Sequence, residues 1–219
     1  MQSKEKNPWF GIQAMTGGSS LRRFGPAMTN ILLANCFGLF ALANAKSFIE
    51  NPRLSVFLIV VTETIVVIFL LIRRDADETK HSWQTWITSA CGTLWPFLLR
   101  PTAGTEDLLL GEIFQIAGFI LQIAALLALN RSIGILPAYR EIKTAGLYRW
   151  VRHPLYTAYI VTYLGYLINN PSLANLSIAI VGTAFLLMRI HYEEALLFKY
   201  AEYARYANKI RWRVIPSIW

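Results

Sequence analysis

The sequence predicts an all-α fold, a polytopic transmembrane bundle of about six helices (five at least) that ends in a helical hairpin and an interfacial amphipathic helix. Three observations support this prediction. Hydrophobic residues make up 55% of the 219 positions and charged residues 16%, with a mean hydropathy of +0.40, whereas a soluble domain carries roughly 25% charged residues. Several apolar runs are long enough to span a bilayer. Basic residues flank these runs.

Six apolar runs match the roughly 17–25 residues of a transmembrane helix, at 27–45, 54–72, 83–99, 112–129, 154–169 and 173–191. The third is the weakest, because it holds four hydroxyl residues and Pro96. Only 170–172 separates the last two, which predicts a helical hairpin. At 1.5 Å per residue the fifth run reaches about 24 Å, less than a hydrocarbon core of about 30 Å. One end of the hairpin is therefore expected to lie below the lipid headgroups.

The positions of Lys and Arg support the count of six spans, since basic residues of short loops stay on the cytosolic side. With six spans and both termini in the cytosol, 18 of the 21 basic residues are cytosolic, including Lys4, Lys6, Arg22 and Arg23. Removing the third span would place the basic clusters on opposite sides. A bacterial inner membrane is favoured over the endoplasmic reticulum. The net charge of +8 is explained by anionic lipid headgroups, so no nucleic-acid partner is predicted.

The candidate site lies in 130–219. The loop 130–153 mixes apolar and charged residues, which indicates a segment that packs at the membrane interface and covers an underlying part of the protein. Arg152-His153-Pro154 follows, and Pro154 at a first helical position starts the fifth helix well because its missing N–H needs no partner there. A helix N-terminus beside Arg and His attracts a carboxylate or phosphate. No Cys or second His stands at ligand spacing from His153, so no metal is predicted.

The sixth run ends at Arg189 and the adjacent carboxylates Glu193 and Glu194. Because the hairpin turn is short, this end is expected beside Arg152-His153-Pro154, where it brings acids to a basic cluster. A surface pair between Arg189 and Glu193 is the simpler interpretation. The following segment, 195–209, is amphipathic and predicts a helix along the membrane surface.

Glu63 stands at the middle of the second run. An ionisable residue at this depth costs roughly 2.5–3.5 kcal/mol on insertion scales and is a functional candidate. The alternative is a protonated side chain hydrogen-bonded to a polar residue of a neighbouring span, for example Gln115 or Gln122.

Four stretches together resemble the isoprenylcysteine carboxyl methyltransferase and phospholipid methyltransferase superfamily of integral membrane enzymes. They are Thr144–Tyr148, Arg152–Tyr156, Glu193-Glu194, and the segment from Tyr203–Tyr206 through Arg213–Pro216. The resemblance covers about 130–219. Two positions depart from the usual pattern: Leu147 stands where the family usually has Pro, and Ala158 where it often has Gly.

The resemblance implies S-adenosylmethionine as cofactor. The residues that would bind it are Gly146, Tyr148, Arg152, His153, Pro154 and Tyr156. The acids Glu193 and Glu194 would line the far wall toward the acceptor, and with Arg152 and His153 they form the expected catalytic set. The helices within 1–129 would then shape the acceptor side, and 130–219 would be the cofactor-binding catalytic region.

The acceptor implied is a lipid or prenylated molecule in the membrane. Carboxyl O-methylation of an isoprenylcysteine-like or other small polar head is favoured, with N-methylation of phosphatidylethanolamine-type headgroups as the alternative. Membrane sterol and enone reductases that use NADPH have a similar architecture, but they typically carry Asn where this chain has Leu155 and Gly-Glu where it has Ala158-Tyr159. A non-enzymatic transporter is a further alternative.

Overall fold

The computed structural model describes the backbone of residues 21–104 and 106–219, and side chains from Met28 onward within those ranges. Seven α-helices occupy the described residues: α1 (Leu21–Glu50), α2 (Leu54–Ile72), α3 (Trp83–Leu94), α4 (Leu109–Leu129), α5 (Pro154–Asn169), α6 (Leu173–Leu197) and α7 (Ala201–Lys209). A two-residue antiparallel pair joins β1 (Glu78–Thr79) to β2 (Ala138–Tyr139). The prediction of an all-α fold is confirmed. Lys4 and Lys6, and the side chains of Arg22 and Arg23, lie outside the described residues.

Each predicted apolar run coincides with a helix. Helix α1 is longer than its run at both ends, whereas α3 and α6 differ from theirs at the C-terminal end. Helix α3 begins at a capping box of Ser82 and Thr85 and ends early, because Pro96 opens a 3₁₀ turn at Trp95–Leu98. Helix α6 continues to Leu197, six residues beyond the predicted end. Glu193 and Glu194 are good helix formers, and they therefore lie within this helix, not at its exit.

Among the described residues, four helical segments are long and apolar enough to cross a membrane: Met28–Glu50, Leu54–Ile72, Leu109–Ser132 and Leu173–Leu197. The chain is an integral membrane protein. The two other predicted spans correspond to α3 and α5, which have 12 and 16 residues and are shorter than a complete span.

The connections between the helices gather at two ends of the bundle. At one end, Leu108 N–H donates to Asn169 Oδ1 at 3.0 Å and Arg53 pairs with Asp107. At the other, which we call the basic end, the segments 73–82, 130–153 and 198–219 meet. Fourteen of the 17 Lys and Arg residues from position 28 onward belong to the basic end or to the helix turns next to it. Since α3 and α5 each connect the two ends, the six long segments alternate in direction.

Helices α4 and α5 pack closely because glycines remove side chains from their interface. A Cβ on Gly118 would lie 2.2 Å from Thr162 Oγ1, and one on Gly165 would lie 2.6 Å from the backbone N of Gln115. Gln122 Nε2 donates to Thr162 Oγ1 at 2.8 Å. This close packing fixes the start of α5, and with it the Arg152-His153-Pro154 motif.

The hydrogen bond expected between Glu63 and Gln115 or Gln122 is not found. Gln122 is bonded to Thr162 instead. In the part of the chain that the structure describes, Glu63 Oε2 is buried without a hydrogen-bond partner.

The amphipathic segment 195–209 is not one helix. Its first three residues complete α6, the chain turns at 198–200, and α7 follows. The apolar side of α7 packs on the protein, where Tyr203, Tyr206 and Ala207 are buried and Tyr206 O–H donates to the backbone oxygen of Tyr148 at 2.7 Å. The location of this helix along the membrane surface stays a prediction, and its buried side closes the loop 130–153.

Candidate functional site

A cavity of about 150 Å³ opens at the basic end between the loop 130–153, the start of α5 and the end of α6. Its wall combines apolar side chains with charged and phenolic ones. The polar residues that line it are Ser132, Arg140, Glu141, Lys143, Tyr148, Arg152, His153, Tyr156, Arg189, Glu193, Tyr203 and Tyr206.

The connection 73–82 holds one wall of the cavity in place. Through β1 and β2 it pairs with the loop 130–153, and Asp77 N–H adds a bond to the backbone oxygen of Tyr139 at 2.9 Å. Glu78 accepts from Lys199 Nζ at 2.6 Å and from Tyr200 O–H at 2.7 Å. Sequence reasoning missed this connection. The signal for it was the acidic cluster of 75–78, which is complementary to the basic loop.

The C-terminal tail holds the Arg-His-Pro motif through its backbone. Arg152 N–H donates to the backbone oxygen of Trp212 at 2.9 Å, and His153 N–H donates to that of Arg213 at 2.8 Å. The backbone N–H groups of 213, 214 and 215 all donate to the backbone oxygen of Trp219, at 2.9, 2.9 and 3.1 Å. Pro154 begins α5, as predicted. The tail therefore sets the direction in which the Arg152 and His153 side chains leave the backbone.

Glu194 is buried, with 4% of its surface exposed, and several polar side chains converge on its carboxylate. Its Oε1 accepts from Tyr203 O–H at 3.1 Å and lies 3.2 Å from His153 Nε2, while its Oε2 accepts from Arg213 Nε at 2.7 Å. Burial, and then the charge of Glu194, raises the pKa of the Tyr203 hydroxyl well above its usual value, so this hydroxyl stays a donor. Glu194 does not line the cavity.

Glu193 faces the cavity and is also occupied. Its Oε1 accepts from Tyr156 O–H at 2.7 Å and from Arg189 Nε at 3.1 Å. Its Oε2 lies 3.8 Å from His153 Nδ1. The sequence indicated a surface pair between Arg189 and Glu193, but Arg189 is buried. It also donates to Thr93 Oγ1 at 3.1 Å and to the backbone oxygen of Gly134 at 2.7 Å. It ties α3, α6 and the loop 130–153 together.

Arg152 is buried, with 8% of its surface exposed. Its Nε lies 3.1 Å from Glu194 Oε1, but the N–H does not point at that oxygen and has no hydrogen-bond partner among the described residues. The guanidinium carbon lies 6.0 Å from the centre of the Phe198 ring. A buried guanidinium with an unused N–H is costly, so the site fits an additional acceptor.

The cavity wall carries more positive than negative charge. Its cations are Arg140, Lys143, Arg152 and Arg189, and its acids are Glu141 and Glu193. Burial, and then the charge of Arg73, lowers the pKa of Arg140 to about 10, which leaves it protonated at neutral pH. Arg140 and Lys143 were not among the predicted site residues, although both stand in the loop that sequence analysis singled out. The excess of cations suits an anionic ligand.

The structure brings five of the predicted site residues to the cavity: Tyr148, Arg152, His153, Tyr156 and Glu193. The other three stand behind its wall. Glu194 holds the wall residues, Pro154 starts the helix, and Gly146 begins the 3₁₀ turn Gly146–Arg149. The φ of +60° at Gly146 is a left-handed conformation that favours glycine, so this residue shapes the turn that carries Tyr148.

Most of the region that forms the cavity is similar to a known protein family. Residues 108–199 match the model of the isoprenylcysteine carboxyl methyltransferase (ICMT) family. The resemblance that the motifs indicated is confirmed for this region, which matches the model of a methyltransferase family. It begins at α4, earlier than the predicted 130, and ends before α7 and the tail. No curated protein matches the chain significantly.

Proposed function

We propose that the chain transfers a methyl group from S-adenosylmethionine to a carboxylate on a lipid-like acceptor in the membrane, an isoprenylcysteine-like molecule or one with another small polar head. The observation that carries this proposal is a cation-rich cavity, lined mostly by residues of the segment that matches the methyltransferase family. The two predicted acids, one in its wall and one behind it, already accept hydrogen bonds from arginines and tyrosines. S-adenosylmethionine supplies a methyl group that is activated on a sulfonium, so the protein must orient the reactants and exclude water more than move protons.

The residues present fit this cofactor. Arg152 offers its unused N–H to a carboxylate, beside the N-terminus of α5 at Pro154. Tyr148, His153 and Tyr156 line the same cavity and supply ring surfaces for the rest of the molecule, while Gly146 lets the turn under Tyr148 form. The region 130–219 would thus hold the cofactor, and the helices within 1–129 would contact the acceptor's tail.

The state of Glu193 and Glu194 favours a carboxylate acceptor over an amine. An amine must lose a proton before or during transfer and therefore needs a general base. Each of the two acids already accepts hydrogen bonds from an arginine and a tyrosine, so its carboxylate is engaged within the protein and is poorly placed to take a proton from an amine. A carboxylate acceptor needs no base. In this mechanism Arg152, His153 and Glu193 contact the reactants, and Glu194 is a positioning residue.

We further propose that all six long segments cross the membrane with the basic end and both termini in the cytosol, in a bacterial inner membrane. The alternating direction of the helices and the fourteen basic residues at one end support this orientation. The short helices α3 and α5 are accommodated if the cavity end of the bundle lies below the headgroups, where irregular backbone is tolerated against protein.

Ligand titrations test the proposed function. Purified protein is titrated with S-adenosylhomocysteine and, separately, with NADPH. The proposal predicts that only S-adenosylhomocysteine binds. Binding of NADPH alone would favour a reductase, and binding of neither would favour a transporter.

A further inference from the structure

We propose that Ser132 forms, together with Arg152, a two-point binding site for a ligand carboxylate. This inference rests on the proposed function and adds a residue that no motif of the sequence had singled out. It starts from an unusual hydroxyl in the cavity wall.

Ser132 closes the 3₁₀ turn Asn130–Ser132 that follows α4. Asn130 has a φ of +50° and a ψ of −133°, a combination that is sparsely populated by residues other than glycine. Such backbone strain persists where the surroundings enforce it and gathers at functional sites. Here the strained residue turns the chain so that Ser132 joins the cavity wall.

The Ser132 hydroxyl makes no hydrogen bond to any described residue. Its Oγ is buried and has no hydrogen-bond partner in the ranges that the structure describes. Most buried hydroxyls are bonded, as Thr157 Oγ1 is to the backbone oxygen of Val214 at 2.6 Å. Because Ser132 lines the cavity, a ligand can provide the missing partner.

Two cations lie against the chain segment that follows Ser132, so the partner is expected to be an anion. At Gly134, two residues further on, a Cβ would lie 2.4 Å from Arg140 Nη1, which shows how closely this guanidinium covers the segment. Arg189 Nη2 donates to the Gly134 backbone oxygen at 2.7 Å. A hydroxyl in such surroundings donates to an anionic oxygen.

Arg152 provides the second point. Its Nε–H is the other fully buried polar group of the cavity wall that makes no hydrogen bond within the described residues. The two segments are neighbours, since Ile133 belongs to an apolar cluster against which Leu155 packs. A carboxylate has two oxygens and can accept from the hydroxyl and the guanidinium at once. Its source is either the amino-acid part of the methyl donor or the acceptor.

Isothermal titration calorimetry of the Ser132→Ala variant tests the inference and separates the two sources. S-adenosylhomocysteine has a carboxylate and 5′-methylthioadenosine lacks it. Likewise, N-acetyl-S-farnesylcysteine has a carboxylate that its methyl ester lacks. The variant is expected to bind one of the two carboxylate ligands about tenfold more weakly and to bind the partner compound without that carboxylate as the wild type does.

Ser89→Ala is the matched control. Ser89 Oγ is also buried without a partner in the described structure, but it stands in α3 and does not line the cavity. Both substitutions should leave the thermal unfolding midpoint of the ligand-free protein unchanged, since neither removes a hydrogen bond. Only Ser132→Ala should weaken binding.

The outcomes distinguish the two proposals. If the wild type binds both carboxylate ligands and Ser132→Ala binds them equally well, the carboxylate site is wrong and the proposed function stands. A wild type that binds neither carboxylate ligand would overturn both proposals. A lower unfolding midpoint in Ser132→Ala with unchanged affinities would assign the residue a structural role and overturn the inference.

Discussion

At the scale of single residues, two adjacent carboxylates have separate tasks. Glu193 faces the cavity with Tyr156, whereas Glu194 lies behind it and holds Arg152, His153 and Arg213. The sequence predicts that both meet the Arg-His-Pro motif. It does not tell which of them faces inward, because adjacent helix positions point about 100° apart and the choice depends on how α6 packs.

This division predicts different effects of the two acid-to-amide substitutions. Glu194→Gln removes the charge that balances two arginines in a buried cluster, so it is expected to lower the free energy of unfolding by about 3 kcal/mol. Glu193→Gln keeps a partner for Tyr156 and should lower methyl transfer with a smaller loss of stability. Thermal unfolding and initial rates measure both effects.

The control for this comparison is Glu202→Gln. Glu202 is exposed and accepts only a long bond, 3.4 Å, from Tyr139 O–H, so the change in stability should stay within about 0.5 kcal/mol. Equal losses of stability for all three variants would contradict the role of Glu194 as the carboxylate that holds the buried cluster together.

At the scale of elements, segments outside the long helices complete the cavity wall that α5 and α6 begin. The connection 73–82, α7 and the tail each hold one part of the wall. Of these, the tail acts most directly on the motif, because its backbone oxygens at 212 and 213 accept from Arg152 and His153.

Removal of 215–219 is therefore expected to weaken binding of S-adenosylhomocysteine. The deletion takes away the Trp219 backbone oxygen that holds three N–H groups of the tail, and the motif loses a fixed partner. Calorimetry should show a loss of about tenfold or more.

Trp219→Ala is the matched control for this deletion. It keeps the backbone oxygen and removes only the ring, whose centre lies 5.1 Å from the Arg213 guanidinium. Its affinity should stay close to that of the wild type. An equal loss in both variants would show that the ring, not the backbone, holds the tail.

The connection 73–82 predicts a pH dependence of stability. Hydrogen bonds from Lys199 first and Tyr200 next hold the pKa of Glu78 below its usual value. A carboxyl whose folded pKa is lowered stabilises the fold above its unfolded pKa of about 4.5 and loses this contribution as the pH falls through the folded pKa. The wild type should thus lose stability on acidification below about pH 4.5 to a greater extent than Glu78→Gln. Parallel unfolding curves of the two proteins over this range would contradict the assigned contact.

The sequence predicts helices well and the enclosure of the cavity poorly. Apolar runs and the Pro154 start are local signals, and the helices follow them. The pairing of β1 with β2 involves only two residues on each side and depends on contacts distant in sequence. The pattern of α7 predicts an amphipathic helix, but the same pattern fits a membrane surface or a protein surface. In the structure, the buried Tyr203 and Tyr206 of α7 pack in one cluster with Tyr148 of the 3₁₀ turn Gly146–Arg149, and Tyr206 donates to the backbone oxygen of Tyr148.

At the scale of the whole molecule, the fold separates a polar end with few charges from a basic end that holds the cavity. Three connections meet at the polar end, two connections and the C-terminal segment meet at the basic end, and the helices alternate between the two ends. In the proposed orientation the charged cavity lies at the cytosolic interface, and the apolar helix faces are left for the lipid and for the acceptor's tail.

The orientation predicts which positions are accessible from each side. Single cysteines are introduced at Arg205, on the basic end, and at Ala103, on the opposite end, in a background without Cys36 and Cys91. A membrane-impermeant thiol reagent should label the Arg205 position only in inside-out vesicles and the Ala103 position only in right-side-out vesicles. The reverse pattern would place the cavity outside the cytosol.

The most direct test of methyl transfer to a carboxylate follows the label after transfer. The protein is incubated in membranes with methyl-labelled S-adenosylmethionine and N-acetyl-S-farnesylcysteine, and the lipid extract is treated with alkali, which hydrolyses a methyl ester to volatile methanol but leaves an N-methyl group intact. We predict labelled methanol from the wild type and none from Arg152→Ala. Label that stays in the lipid after alkali, or equal release by both proteins, would contradict the account.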